Sequence, residues 1–204
     1  MMKLYYSPGA CSLSPHIALR EAGIPFEVEK VNLKVKRTET GIDYDTINPK
    51  SYVPALVMNN GELLTEGPAI VQYIADLAPE KKLAPTAGTL ERYRLQEWLN
   101  YISTEIHKSF GMLFDPATPE DLKDATRARL GKRLGYAASA LEGKNYLLGD
   151  AFTVADAYLF TVLTWTRYTG IDLSLWPALK GYFNRVAARP AVISAMKAEE
   201  LPAD

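Results

Sequence analysis

The only cysteine of the chain, Cys11, is the first residue whose type and position suggest chemistry. It follows the turn pair Pro8-Gly9 and precedes a predicted helix that begins near Ser12. The first amides of a helix are unpaired and carry about half a positive charge, so they favour a thiolate over a thiol. The sulfur concerned is either that of Cys11 or that of a bound thiol. A buried, inert cysteine is the alternative interpretation.

The segment Glu66-Gly67-Pro68 leaves a predicted strand and enters a predicted helix. Amides at such a helix start can hold a carboxylate, and Glu66 can hold an ammonium group. Together they fit the zwitterionic head of an amino acid. In the alternative interpretation, Glu66 only complements the helix dipole.

The dipeptide Val53-Pro54 opens another predicted strand. A cis peptide bond here would turn the N–H and C=O of Val53 outward, where they can pair with an extended peptide as a neighbouring strand would. A trans proline at a strand start is the alternative.

A polar stripe lies on a predicted long helix over residues 89–110. Its members follow the spacing i, i+4, i+8, i+11, opposite an apolar face, and are Gln96, Asn100, Thr104 and His107. A histidine titrates near neutrality, so His107 is a candidate proton acceptor or hydrogen-bond partner for a thiol. A solvated helix face is the alternative.

Three further charged residues are open to interpretation. His16, on the first predicted helix, is interpreted as structural. Lys36 and Arg37 lie in a charged loop, where the choice is between a solvated loop and carboxylate binding.

The elements that position these residues differ between the two halves of the chain. In the first half, strands and helices alternate. Residues 79–88 contain two prolines and indicate a linker. After it, only helical patterns remain, with a capping box at Thr153 and Asp156. The pattern therefore predicts a small mixed-sheet domain followed by a helical domain.

Composition excludes several classes of protein. Lys and Arg number 23 against 24 Asp and Glu, so the basic excess of a nucleic-acid-binding protein is absent. One cysteine excludes an intrachain disulfide framework and a cysteine-rich zinc site. The most apolar stretch, 154–165, contains Asp156 and is shorter than the ~20 residues of a membrane span. The apolar run Leu4-Tyr5-Tyr6 is too short for a signal peptide. We therefore expect a cytoplasmic protein with a reduced thiol.

Taken together, these segments make the whole chain resemble a bacterial glutathione S-transferase of the beta class. The matching motifs occur in the order typical of that class. They are the segment from Met2 to His16, Asn48-Pro49-Lys50, Val53-Pro54-Ala55-Leu56, Leu64-Thr65-Glu66-Gly67, Trp98-Leu99-Asn100 and Phe152 to Tyr158.

The resemblance implies an α/β domain followed by an all-α domain. The first, residues 1–80, would be thioredoxin-like with a mixed four-stranded sheet. A linker over 81–88 would lead to an all-helical domain over 89–204, carrying the electrophile site and dimer contacts. The resemblance also implies a homodimer, glutathione as co-substrate, no permanently bound cofactor and no metal.

The resemblance further assigns residues to parts of glutathione. Cys11 matches the cysteine beside the glutathione sulfur, and Lys36 the residue near the glycyl end. Val53, with Pro54 cis, matches the backbone partner of the cysteinyl unit. The remaining matches are Glu66 and Gly67 for the γ-glutamyl head, Asn100 for a contact across the dimer, and the stretch Thr104, Glu105, Ile106 and His107, with His107 close to the thiol.

Two positions depart from the pattern of the family. Gly67 stands where many other classes carry serine, so backbone amides would hold the γ-glutamyl carboxylate. Ser51-Tyr52 stands where glycine-glutamine is frequent in this class, so the loop before Val53 is expected to differ slightly.

The favoured function is conjugation of reduced glutathione to small hydrophobic electrophiles, as in detoxification. Cys11 and His107 are the candidate catalytic residues. The electrophile pocket would include Phe110, Phe114 and Trp165. Two alternatives stay open: a glutathione-dependent thiol-disulfide reductase that uses Cys11 through a mixed disulfide, and a non-enzymatic carrier of hydrophobic ligands.

Overall fold

A computed structural model describes residues 1–202 of the chain. The chain forms two compact units. The first contains residues 1–84 together with the segment that begins at residue 188, and the second contains residues 85–187.

A mixed sheet forms the centre of the first unit. Its strands lie in the order β3-β2-β1-β4-β5, and only the β1–β2 pair is parallel. The strands are β1 (Met2–Tyr6), β2 (Phe26–Asn32), β3 (Arg37–Thr38), β4 (Ala55–Val57) and β5 (Leu63–Thr65). The expected four-stranded sheet is therefore wrong by one edge strand. Arg37–Thr38 has only two residues and lacks an apolar alternation that would indicate a strand.

Two helices of the first unit begin where the sequence predicts. Helix α1 (Leu13–Ala22) has Ser12 at its N-cap and ends at Gly23, whose φ of 68° is the left-handed conformation that glycine adopts easily. Helix α2 (Gly67–Leu77) has Glu66 at its N-cap and Pro68 in its first turn. Both helices therefore place the first-turn amides beside the candidate residues Cys11 and Glu66.

The second unit is helical. It contains α3 (Leu90–Tyr101), α4 (Lys108–Phe114), α5 (Glu120–Ala140), α6 (Val154–Leu163), α7 (Thr166–Thr169) and α8 (Pro177–Ala187). The single helix expected over 89–110 is interrupted, because residues Ile102–His107 form a π-helical segment between α3 and α4. A π-helical turn closes i to i+5 hydrogen bonds and so displaces the residues after it around the helix axis.

The predicted capping box at the start of α6 is confirmed. The buried Asp156 carboxylate accepts hydrogen bonds from the Thr153 N–H at 2.8 Å, the Thr153 hydroxyl at 2.9 Å and the Leu147 N–H at 2.9 Å. Complete burial nevertheless raises the pKa of Asp156 to about 6. All residues of α6 are buried, so this carboxylate fixes the start of a core helix.

The last helix, α9 (Pro190–Ala198), belongs to the first unit. We expected one helical domain through residue 204, but α9 packs on α1. Arg189, which caps α9, donates to both carboxylate oxygens of Glu21 on α1, at 2.6 and 2.9 Å. Helical periodicity predicts a helix but does not indicate which unit it packs on.

Over residues 1–202, no helix combines the length and the apolar character that a membrane-spanning segment requires.

Candidate functional site

Cys11 lies in a tight turn between β1 and α1. The turn is closed by a hydrogen bond from the Ala10 N–H to the Ser7 carbonyl at 3.0 Å, and Gly9 adopts a left-handed φ of 69°. The Ser12 hydroxyl accepts from the Ser7 N–H at 3.2 Å. Cys11 itself is half-buried. Its sulfur is thus held next to the first turn of α1 but is not enclosed in the core.

The Cys11 thiol reaches the Val53 segment. Its Sγ lies 3.2 Å from the Val53 carbonyl oxygen, to which the S–H donates. The Val53–Pro54 peptide is cis, as the resemblance implied. Cys11 and Val53, two candidate residues separated by 42 positions in the sequence, are therefore in direct contact.

The backbone before Val53 is held by two side chains. The Tyr52 carbonyl accepts from the Tyr44 hydroxyl at 3.0 Å and from the Asn48 amide at 2.7 Å. Tyr44 is fully buried in a cluster that also contains Val53. Burial raises the pKa of Tyr44 to about 12, so its hydroxyl stays protonated and donates.

Three residues near these segments have a positive φ although they are not glycine. They are Lys36 at 53°, Ser51 at 62° and Glu66 at 69°. Such backbone conformations cost about 1 kcal/mol or more and concentrate at ligand-binding sites. Lys36 also donates from its Nζ to the Ser51 carbonyl at 2.7 Å. The Lys36 loop, for which a solvated loop and carboxylate binding were both considered, is therefore connected to the segment before Val53.

The carboxylate of Glu66 contacts two residues that sequence reasoning did not assign. Its Oε1 lies 2.6 Å from the Lys50 Nζ and accepts from the Tyr52 hydroxyl at 2.7 Å. Lys50 belongs to the family motif Asn48-Pro49-Lys50, and Tyr52 lies where the sequence departs from the family pattern. Their position just before Val53 was the signal that could have assigned them.

The predicted polar stripe does not form one continuous face. Asn100 and Thr104 are exposed, whereas His107 is half-buried, because the π-helical segment changes the register between them. Ile106 is fully buried, and Glu105 forms an ion pair with Arg133 of α5 at 3.0 Å. Thr104, Glu105, Ile106 and His107 therefore face different surroundings within the second unit.

His107 is held among aromatic rings. Its Nδ1 lies 2.6 Å from the Tyr158 hydroxyl, and its ring centroid is 4.9 Å from that of Trp165. Burial, followed by the charge of Lys108, lowers the pKa of His107 to about 4. This pKa lies below the near-neutral value expected for a histidine, because the His107 side chain is partly buried among aromatic rings.

The three residues predicted to line an electrophile pocket lie together beside His107. The Trp165 ring centroid is 5.4 Å from that of Phe110 and 5.9 Å from that of Phe114. Phe110 and Trp165 are buried, whereas Phe114 is 48% exposed. Phe114 is thus the member of this trio with the most surface available to a ligand.

A cavity of about 470 Å³ in the second unit was not anticipated. Three aromatic rings and four charged side chains surround it. They belong to Glu97, Trp98, Tyr101, Glu105, Lys132, Arg133 and Tyr136. Of these, only Glu105 was a predicted site residue.

Among the described residues, no group of three or more His, Cys, Asp and Glu side chains is arranged to hold a metal ion.

Comparison with known proteins shows the same two-part organisation. Residues 9–77 match the family model for the glutathione S-transferase N-terminal domain, and residues 97–190 match the model for the C-terminal domain. The curated relative "Glutathione S-transferase GstA" of Escherichia coli O157:H7 is 48% identical over 98% of this chain and 100% of its own.

Two solved structures are similar over the same extent. A ternary complex of BphK, described as a bacterial GST, has a TM-score of 0.96 and 58% identity, covering 98% of this chain and 100% of its own. The beta-class glutathione S-transferase of Sphingomonas chungbukensis has a TM-score of 0.94 and 48% identity, with the same coverage. These similarities extend through both units of the chain.

Proposed function

Because the chain belongs to the glutathione S-transferase family, and within it to the beta class, we propose that its first unit binds glutathione between the Cys11 turn and the Val53–Pro54 segment. The chain is a glutathione transferase with a thioredoxin-like N-terminal domain followed by helices. The residues that bind glutathione, the second substrate and the homodimer are our proposals.

The observation that carries the site is the 3.2 Å contact between the Cys11 sulfur and the Val53 carbonyl. A peptide in extended form pairs its own N–H and C=O with a backbone, as an added strand does. The cysteinyl unit of glutathione would pair with Val53 in this way. Its sulfur would then lie near Cys11 and the start of α1.

Charged groups around this segment match the ends of glutathione. We assign Glu66 to the γ-glutamyl ammonium, and the first amides of α2, from Gly67, to its carboxylate. Lys36 would bind the glycyl carboxylate. Its Nζ is directed at the loop before Val53 by the hydrogen bond to the Ser51 carbonyl, which supports this assignment.

The chemical task of the site is to favour the thiolate of glutathione. A free cysteine-like thiol has a pKa of ~8.5, and each unit by which the pKa falls stabilises the thiolate by ~1.4 kcal/mol, nearly tenfold in population. The amides at the start of α1 and the Cys11 S–H are the proposed donors. The thiolate would then attack the electrophilic carbon. With an aryl halide, a carbon–sulfur bond forms, the carbon–halogen bond breaks, and halide leaves with the electron pair of that bond.

His107 keeps one of its two predicted roles in the proposal, that of a hydrogen-bond partner. Since its pKa lies near 4, the ring is neutral at pH 7 and is a poor proton acceptor. We therefore assign His107 as a hydrogen-bonding group whose orientation is set by Tyr158. Asn100, Thr104, Glu105 and Ile106 stay predicted contacts of glutathione or of the dimer.

A small hydrophobic electrophile is the proposed second substrate. Phe114 offers exposed aromatic surface, and Phe110 and Trp165 support it from the buried side. We further propose that the enzyme is a cytoplasmic homodimer without a permanently bound cofactor.

The test uses the wild type and Cys11→Ala. Calorimetry measures glutathione binding, and two assays measure conjugation to an aryl halide and glutathione-dependent reduction of a small disulfide. We expect heat of binding with the wild type, and conjugation in both proteins, weaker in the variant. A reductase that works through Cys11 would lose its activity completely in the variant. Absence of binding heat in the wild type would refute the proposed site, and absence of both activities would leave a ligand carrier.

A further inference from the structure

A buried carboxylate at the C-terminal end of the first unit contacts the Cys11 turn. Glu199, directly after α9, is 1% exposed. Its Oε2 accepts from the Gly9 N–H at 3.0 Å, and its Oε1 lies 2.8 Å from the Nδ1 of His16 on α1. One side chain, 190 residues away along the sequence, therefore joins the turn before Cys11 to the helix after it.

The neighbouring hydrogen bonds determine which ring nitrogen of His16 carries the proton. The Arg20 Nε donates to the His16 Nε2 at 3.1 Å. A guanidinium only donates, so the Nε2 accepts and the proton lies on the Nδ1. His16 therefore donates to Glu199. Both oxygens of the carboxylate receive donors, which is the arrangement that a buried carboxylate requires.

The C-terminal segment also packs against the turn itself. A Cβ at Gly9 would approach the Leu201 Cδ2 to 3.3 Å, a distance tighter than ordinary van der Waals contact. Gly9 is in the left-handed conformation and lies two residues before Cys11. A shift of its amide is therefore transmitted to the Cys11 sulfur over two residues of backbone.

We propose that Glu199 is a positioning residue that holds the Cys11 turn in the geometry that glutathione binding requires. The proposal rests on the proposed function for the ligand, but its effect on the Cys11 thiol is measurable without any ligand. Glu199 contacts the turn and α1, and it does not contact the reacting sulfur atoms.

A glutamine at this position cannot reproduce the contacts. It presents one oxygen and one NH₂ group, so its NH₂ faces either the Gly9 N–H or the His16 Nδ1–H. If the imidazole changes tautomer to relieve the second case, its Nε2–H faces the Arg20 Nε–H instead. In every orientation of the glutamine, two N–H donors face each other without an acceptor between them.

The chain offers a matched control on the same helix pair. Glu21 of α1 binds Arg189 at the start of α9. Like Glu199, it uses both carboxylate oxygens, and its side chain is largely covered. Glu21→Gln therefore weakens the α1–α9 packing by the same substitution without touching Gly9. A difference between the two variants reports on the turn and not on α9.

Two measurements on Glu199→Gln, Glu21→Gln and the wild type test the proposal. The first is the pH dependence of iodoacetamide alkylation in the ligand-free protein, which reports on Cys11 alone because it is the only cysteine. The second is the Kd of S-methylglutathione, measured by calorimetry. This ligand carries a methyl group on its sulfur and therefore cannot react there.

For Glu199→Gln we expect the alkylation midpoint to fall by about half a pH unit, since the substitution removes a buried negative charge that contacts Gly9, two residues before Cys11. We expect the Kd to rise about tenfold, since the turn loses an anchor. A thiol that becomes more acidic while the ligand binds more weakly is not produced by a loss of global stability. For Glu21→Gln both values should stay within about twofold of the wild type.

The proposal is overturned if either value for Glu199→Gln equals that of the wild type, or if Glu21→Gln moves both equally. Should Glu199→Gln not fold, His16→Asn takes its place, because it removes the partner of the Oε1 oxygen. This variant keeps the carboxylate charge, so its criterion is the Kd of S-methylglutathione alone, which must rise relative to both the wild type and Glu21→Gln. If the wild type itself gives no binding heat while the alkylation midpoint of the variant falls, the proposed function fails and the effect on the turn is still established.

Discussion

The Cys11 turn of the first unit and the His107 cluster of the second unit were both predicted to handle a thiol, and the protein builds them in opposite ways. Around Cys11, backbone groups and short polar side chains make hydrogen bonds near the surface. Around His107, aromatic rings cover part of the imidazole, and Tyr158 is a polar partner in the described structure. The chemistry of the Cys11 turn therefore depends on where its hydrogen-bonding groups lie, whereas that of His107 depends on partial removal from water.

This difference decides what each group does chemically. A half-buried thiol next to helix amides keeps its access to a ligand. A histidine enclosed by rings keeps its orientation but loses its charge near neutral pH. The type of a residue tells which ionisable atoms are present. The burial of its side chain then determines which protonation state those atoms favour.

The largest effect should come from removing a buried charge in the second unit. Asp156→Ala leaves the Leu147 N–H, the Thr153 N–H and the Thr153 hydroxyl without their acceptor. We expect the free energy of unfolding to fall by about 3 kcal/mol and the Tm by about 10 °C. Urea denaturation and calorimetry measure both.

The exposed Asp172 is the control, since it caps a short turn in the same unit through Ser174. Asp172→Ala should cost less than about 1 kcal/mol. Equal losses for the two variants would contradict the importance of burial in this unit.

The second prediction uses the low pKa of His107. Because its pKa is about 4 when folded and ~6.5 when unfolded, the unfolded chain binds more protons between these values, and acidification destabilises the fold. Between pH 7 and pH 5 this amounts to about 2 kcal/mol. Asp156 acts in the opposite direction, since its raised pKa makes the folded state take up a proton as the pH falls through about 6.

The measurement is therefore the difference between the wild type and His107→Gln in urea denaturation at both pH values. On going to pH 5, the wild type should lose about 2 kcal/mol more than the variant. If both proteins respond identically, His107 is not desolvated as described, and the contrast between the two regions fails.

The third prediction concerns charge in the first unit. Glu66→Gln should raise the Kd of glutathione about tenfold, because the γ-glutamyl ammonium loses its partner. The free energy of unfolding should change little, since Glu66 is exposed. Calorimetric titration gives the Kd, and urea denaturation gives the stability. An unchanged Kd would remove Glu66 from the proposed site.

The smallest effect is expected for Tyr52→Phe, which deletes only the hydroxyl that donates to Glu66. The Kd of glutathione should rise about threefold, because Glu66 keeps Lys50 and its charge. A titration at the same ionic strength as for Glu66→Gln makes the two values comparable. A larger effect than that of Glu66→Gln would mean that Tyr52 contacts the ligand directly.

Local sequence rules accounted for most elements of the first unit. Gly23 ends α1, Pro68 lies in the first turn of α2, and the apolar run after Pro54 marks β4, all because these signals act over a few residues. The capping box of α6 is of the same kind. The two-residue β3 and the π-helical segment carry no such local signal and were missed.

The sequence by itself determined the family, the alternation of strands and helices, and the identity of Cys11, Val53 and Glu66 as candidates, because caps, turns and motifs are short-range patterns. Only the tertiary structure decided that His107 is half-buried with a lowered pKa, that Lys50 and Tyr52 contact Glu66, and that Glu199 reaches Gly9. Those outcomes depend on burial and on contacts between residues far apart in the chain, which no local pattern encodes.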